Sequence, residues 1–169
     1  MEEPTGRENG RSRLRGNSTS RQVRRHALTL ALGDSFSSMP ISIKVSAAER
    51  VRYSVLSGEI GDRELVTAFR RSFEASDFDP SLNGLVDLRE VRKLDVTSNG
   101  IWELAHVLRP ADESGHARRV ALVAASDFQF GMARMVATLL STGGLTTEYH
   151  AFRDMGEARA WLGLAPEAP

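Results

Sequence analysis

Apolar and polar positions alternate with a period of two at Ile41, Ile43 and Val45, and again at Val51, Tyr53 and Val55. The short connection at residues 47–50 makes this pair a β-hairpin. Beyond residues 58–61, which end the second strand, the period changes. Leu65, Ala68, Phe69 and Phe73 recur at helical spacing, with Arg63, Arg70 and Arg71 off the stripe. Asp77-Phe78-Asp79-Pro80 ends that helix, because proline cannot continue it and constrains the residue before it. Leu82 to Leu88 is the third strand, and Ile101, Leu104, Ala105 and Leu108 form a second helical stripe that Pro110 is expected to stop. Residues 120–124 are apolar on both faces, as a central parallel strand requires.

Ser126 with Gln129 has the spacing of a capping box opening a third helix to about Leu140, closed by Gly143-Gly144. Thr146 to Phe152 reads as the last strand. Asp154 with Glu157 has the spacing of another capping box and starts a short final helix buried by Ala158, Trp161 and Leu162. The order predicts one α/β domain: a mixed, mostly parallel five-stranded sheet with an N-terminal β-hairpin and about four helices, on both faces of the sheet. The pattern leaves strand order open.

Composition narrows the picture. The 169 residues are 41% hydrophobic, enough for one real core, and the chain has no cysteine, which excludes disulfides and thiolate chemistry. Net charge is zero, yet Arg7, Arg11, Arg13, Arg15, Arg21, Arg24 and Arg25 face only Glu2, Glu3 and Glu8 in the first 26 residues. Residues 1–38 therefore read as a disordered basic tail, with Met39 an alternative start. Residues 39–164 form the domain, and 165–169 a short tail. Arg24-Arg25 before residues 27–32 resembles an export signal only faintly, because Asp34 closes a short apolar stretch. The mildly acidic remainder argues against nucleic acid as a partner of the core. No apolar run approaches the roughly 18 to 20 residues of a transmembrane segment, and a cytoplasmic location is expected.

Candidate chemistry is sparse. Thr97 and Ser98 precede the second helical stripe, where a phosphate would meet free backbone N–H groups, although a hydroxyl there is first of all an N-cap. Asp87 and Asp95 offer two carboxylates without a third ligand at a useful spacing, and the four histidines are scattered. No metal, cofactor or catalytic residue is therefore assigned, and the chain is expected not to be an enzyme. The third helix carries a second apolar stripe, Met132, Met135 and Leu139, beside Phe130, Ala133, Ala137 and Leu140. Such a helix is expected to bury a second face in the core, in a homodimer or against a ligand.

Residues 85–98 run from an apolar strand through Asp87-Leu88, a short turn and Asp95 to the Thr97-Ser98 pair. This resembles the signature segment of the SpoIIAA-like, anti-sigma-factor-antagonist (STAS) proteins. Phe78-Asp79-Pro80, residues 126–135 and residues 149–162 extend the resemblance over residues 39–164. It implies a small α/β fold in a superfamily of regulators and lipid-carrier-like folds, and it makes Thr97 the phospho-acceptor position. Val96-Thr97-Ser98-Asn99-Gly100 departs from the Ser-Ser-Gly expected there. Two functions fit. The first is a non-enzymatic interaction module whose partner is a protein, such as a kinase or an anti-sigma-type regulator, docking on Asp95, Asn99, Ile101, Met132, Met135 and Leu139, with Thr97 or Ser98 as the phosphorylated switch. The alternative is a carrier or sensor of a small apolar or lipid-like ligand held against the third helix.

Overall fold

A computed structural model describes residues 40–166. The expected basic tail and the alternative start at Met39 lie outside the described residues. The elements follow in the order β1 (Ile41–Ser46), β2 (Val51–Gly61), α1 (Asp62–Phe73), β3 (Asn83–Asp95), α2 (Ser98–Asp112), β4 (Arg119–Val123), α3 (Asp127–Thr142), β5 (Glu148–Phe152) and α4 (Met155–Trp161). The five strands lie side by side in chain order, β1 antiparallel to β2 and every later pair parallel. Right-handed crossovers between strands that always advance the same way carry each helix to the same side. Accordingly α1, α2 and α3 share one face, and α4, which follows the last strand, folds back on the other. The expected mixed α/β sheet with helices on both faces is the fold, divided three to one.

Strand alternation sorts the side chains between these layers. On β2, Leu56 joins the three-helix core while Val51 faces α4. On β3, Val86 and Leu88 face the three helices and Leu85 faces α4, and β4 divides Leu122 from Ala121 and Val123 in the same way. The three-helix core is the larger, with Ile101 and Leu140 at its centre.

Three boundaries differ from those the pattern predicts, each for a physical reason. The short turn expected after Leu88 is strand, because β3 continues to Asp95 alongside a β2 that runs to Gly61. Two register shifts, between Val55 and Ser57 and between Gly58 and Glu59, give β3 two extra residues and break its period of two. Gly58 sits at φ +72° within this irregular stretch, a conformation that favours glycine. Pro110 lies inside α2, which reaches Asp112. The missing proline N–H forfeits one bond in the last turn, a smaller loss than in a helix centre. The last strand starts at Glu148, since the N–H groups of Thr146 and Thr147 both go to the Asp112 carboxylate, at 2.7 and 2.8 Å.

The cap of α3 agrees with expectation, and that of α4 keeps one half of the expected box. Ser126 and Gln129 form the reciprocal capping box of α3, and the Asp154 side chain accepts from the Glu157 N–H at the start of α4. Gln129 does more than cap: its Nε2 donates to the Val91 carbonyl at 2.6 Å, fixing α3 to the irregular part of β3.

Candidate functional site

The N-termini of α1 and α2 meet where β2 and β3 end, and one carboxylate joins them. Asp62, the first residue of α1, accepts from the Thr97 N–H at 2.8 Å and from the Thr97 hydroxyl at 2.6 Å. The same hydroxyl oxygen accepts from the Gly100 N–H at 3.1 Å, making Thr97 the N-cap of α2. Gly100 has to be glycine here, since a Cβ would overlap the Asp62 carboxylate and come within 2.9 Å of the Asp62 Cβ. The hydroxyl of Thr97 therefore has its donor and acceptor functions both in use. A phosphate on that oxygen would displace the hydrogen bond and set at least one negative charge beside another.

Beneath this junction, between the sheet and α1, α2 and α3, lies a cavity of about 90 Å³. Leu56, Leu88, Leu94, Val96, Leu104 and Leu140 are among its apolar walls. Its polar lining is concentrated at the N-terminal ends of the parallel strands, where Arg52, Gly84, Val120 and Tyr149 form one row across the sheet. Gly84 leaves the floor of that row open, and a Cβ on it would press to 3.1 Å from the Val120 side chain. Arg118, immediately before β4, completes the polar end.

Both arginines are buried, Arg52 6% and Arg118 5% exposed, and among the described residues neither forms an ion pair. The Arg52 guanidinium lies 4.8 Å from the ring centre of Phe73 and 4.5 Å from that of Phe78, and donates to the Asp79 carbonyl at 3.3 Å. Burial, and next the charge of Arg118, pull the Arg52 pKa down to about 10. Arg118 donates through Nη2 to the Thr147 hydroxyl at 3.1 Å, while its Nε is buried without a hydrogen-bond partner among the described residues. The Thr147 hydroxyl in turn donates a hydrogen bond to Asp112 at 2.6 Å, so that carboxylate reaches Arg118 only through an intervening hydroxyl. Burial also pushes the Tyr149 phenol up to about 12, keeping it neutral at physiological pH. A buried, unpaired guanidinium costs roughly several kcal/mol, and the aromatic faces on Arg52 return only part of it.

Residues 53–163 match the family model described as SpoIIAA-like. The chain belongs to the SpoIIAA-like family. No curated protein matches. Among solved structures, an uncharacterized protein with a SpoIIAA-like fold from Shewanella loihica PV-4 is similar at 19% identity, over 72% of this chain and 91% of that one, with a TM-score of 0.47.

Within this SpoIIAA-like domain the residues singled out in the sequence separate into groups. Asp95, Thr97, Ser98 and Asn99 are exposed around the start of α2. Ile101 is fully buried, so it belongs to the core and not to a docking surface: one turn into α2 it faces the sheet. Met132, Met135 and Leu139 are half-buried along α3, whereas the cavity is walled by Ala133, Val136 and Leu140 of the same helix. Asp87 is held by Arg89, which donates to both its carboxylate oxygens at 2.7 to 3.2 Å. Asp87 and Asp95 do not combine into a metal site, and no cluster of three or more metal-ligating side chains occurs among the described residues. Among the same residues no helix is long and apolar enough to cross a membrane. Asp62, Arg52 and Arg118 were not apparent from the sequence. The signal for Asp62 is faint, a glycine three residues after a hydroxyl cap, and Arg52 falls on the polar phase of the alternation at Val51, Tyr53 and Val55.

Proposed function

We propose that this SpoIIAA-like domain is a non-enzymatic binding module that takes up a small amphipathic ligand between its sheet and its three-helix layer. The observation that carries this reading is the cavity with two buried arginines at one end and, among the described residues, no ion pair for either. Ligand sites are mostly apolar with a few convergent polar groups, and buried charge is tolerated where something is meant to meet it. The wall on α3 is Ala133, Val136 and Leu140, so the ligand lies against the inner stripe of that helix and not against Met132 and Met135. Native mass spectrometry of the full chain, purified from its own host, tests the reading. A small molecule that stays on the folded chain and leaves on denaturation is expected, and Ala133→Leu, which fills the cavity, should remove it. Bare chain alone, in protein that also fails to take up 1-hexanol, contradicts it.

Protein docking is the second reading, favoured by the exposure of Trp102 at 40% on α2 and of Phe128 at 60% on α3, the helix that also carries the half-buried Met132 and Met135. Large apolar side chains left on a surface are commonly interaction sites. Under this reading Ser98, exposed and one residue past the cap, is the better phospho-acceptor, since the Thr97 hydroxyl is held by Asp62. Identical partner pull-downs for wild type, Ser98→Ala and Thr97→Ala would remove the switch from consideration.

A further inference from the structure

Resting on the ligand-binding reading, we infer that Arg52 and Arg118 form the head-group site for a carboxylate carrying a short alkyl chain, with the chain running along the strands toward Leu94 and Val96. Four observations converge on that chemistry. Arg118 presents a buried Nε–H that no atom of the described residues accepts. Arg52 is nine-tenths buried and lines the same cavity, and among the described residues it forms no ion pair, the charges of Asp79 and Asp77 acting on it only from beyond ion-pair distance. The neighbouring polar lining, Asn83 and a neutral Tyr149, adds no negative charge. Gly84, on β3 between the Arg52 strand and the strand that Arg118 precedes, leaves room in the Arg52 row where any other residue would project a side chain.

A guanidinium offers a planar fork that matches a carboxylate, so one monoanion supplies the acceptor for Arg118 Nε and balances much of the local charge. A cavity this apolar selects an alkyl tail over a sugar or a nucleotide. From the Arg52 row to the Leu56 and Leu88 level is four strand residues, about 13 Å, ample for six carbons in line. The volume of about 90 Å³ is below the roughly 150 Å³ of a cavity known to take benzene, which favours short chains and slight parting of the helices on entry. Entry fits the same side chains. Phe73 lines both the cavity and a surface depression between α1 and α2, and Arg52 lines both the cavity and a second depression beside β1. These two residues therefore stand between the head-group end and solvent. The site lies at the N-terminal ends of the strands, whereas open α/β sheets ordinarily bind ligands beyond the C-terminal ends.

Hexanoate and 1-hexanol share a tail and differ in the head, so titrating each into the full chain by NMR separates the two ideas. The expected result is that hexanoate binds at least about tenfold more tightly than the alcohol. In Arg118→Met and Arg52→Met that preference should fall to within about threefold, with alcohol binding retained. Equal affinity for both in the wild type overturns the head-group assignment, leaves the apolar pocket standing, and assigns Arg118 Nε to a water. Binding of neither overturns both. Where a variant fails to fold, carboxyl-¹³C hexanoate on the wild type decides. Its titration midpoint should fall by about one pH unit or more beside two guanidiniums, and a midpoint unchanged or raised overturns the assignment.

Discussion

The two faces of the sheet each bury arginine, and they do it in opposite ways. On the α4 face, Arg159 is 8% exposed and every arm of its guanidinium is used: Nη2 donates to Glu49 at 2.6 Å, Nη1 to the Tyr53 hydroxyl at 2.8 Å, and Nε to the Ala165 carbonyl at 2.7 Å. Tyr53 in turn donates to Glu49 at 2.7 Å. That bond first, and Arg159 next, hold the Glu49 carboxyl below its usual range. The network fastens α4 to the hairpin, alongside the aromatic packing of His150, Phe152 and Trp161. It also ties the Ala165 carbonyl back to α4. On the three-helix face, Arg52 and Arg118 sit as deep with no ion pair among the described residues and one N–H unmet. A charge that is fully paired holds a fold together; a charge left unpaired at the end of an apolar cavity costs stability and leaves a function as its explanation.

The contrast can be broken most strongly at the α1–α2 junction, where the three-helix face resembles the α4 face in being fully satisfied. Gly100→Ala drives the Asp62 carboxylate off Thr97 and should cost about 2 to 3 kcal/mol in chemical denaturation, through overpacking and loss of the cap. A cost below about 0.5 kcal/mol would mean the junction yields freely.

Asp112 offers the next largest effect, because its carboxylate accepts from both the N–H and the hydroxyl of Thr146 and of Thr147, at 2.6 to 3.0 Å. Burial alone would raise its pKa, but these four bonds outweigh burial and leave it lowered. Asp112→Asn replaces an acceptor with a donor against them and should cost about 2 kcal/mol at neutral pH. A depressed folded pKa contributes stability that is present above the unfolded carboxyl range and is lost as pH falls through the folded value. Wild type should therefore lose stability below about pH 4 more steeply than Asp112→Asn. Parallel pH profiles for the two proteins would refute that assignment.

Thr97→Ala, the mildest change, should cost about 1 kcal/mol, that of a lost N-cap. Thr97→Asp would ordinarily cap as well as threonine, yet here it brings a second carboxylate to Asp62. It should be the less stable of the two variants and should recover when Asp62→Asn is added. Equal melting of the Ala and Asp variants would show that Asp62 swings clear without cost.

Much of this architecture is legible in the sequence because it is written locally. The capping box of Ser126 and Gln129, the Asp154 cap and the helical stripes each lie within a few residues, and they place α3, α4 and the buried faces of α1 and α2 correctly. What is not local is lost. The irregular part of β3, with Arg89, Glu90, Arg92 and Lys93 exposed around a buried Val91, has no steady period and reads as a turn. Asp62 and Thr97 are 35 residues apart, and only parallel pairing of β2 with β3 brings their helices together. Arg52 and Arg118 are single arginines among 22 basic residues, and nothing in their neighbours tells a buried guanidinium from a solvated one. The row across the sheet that joins them exists only in the folded register.

The most direct test is the melting temperature of Arg118→Met beside that of Arg159→Met, in full-length protein refolded from denaturant to release any bound molecule. Arg159→Met should melt about 5 to 10 °C below wild type, since it strips a paired network, while Arg118→Met should match wild type or exceed it because an unpaired buried charge is replaced by an apolar chain. If Arg118→Met falls as far as Arg159→Met, Arg118 is a structural residue like its counterpart on the other face, and the cavity is a packing gap with no ligand to hold.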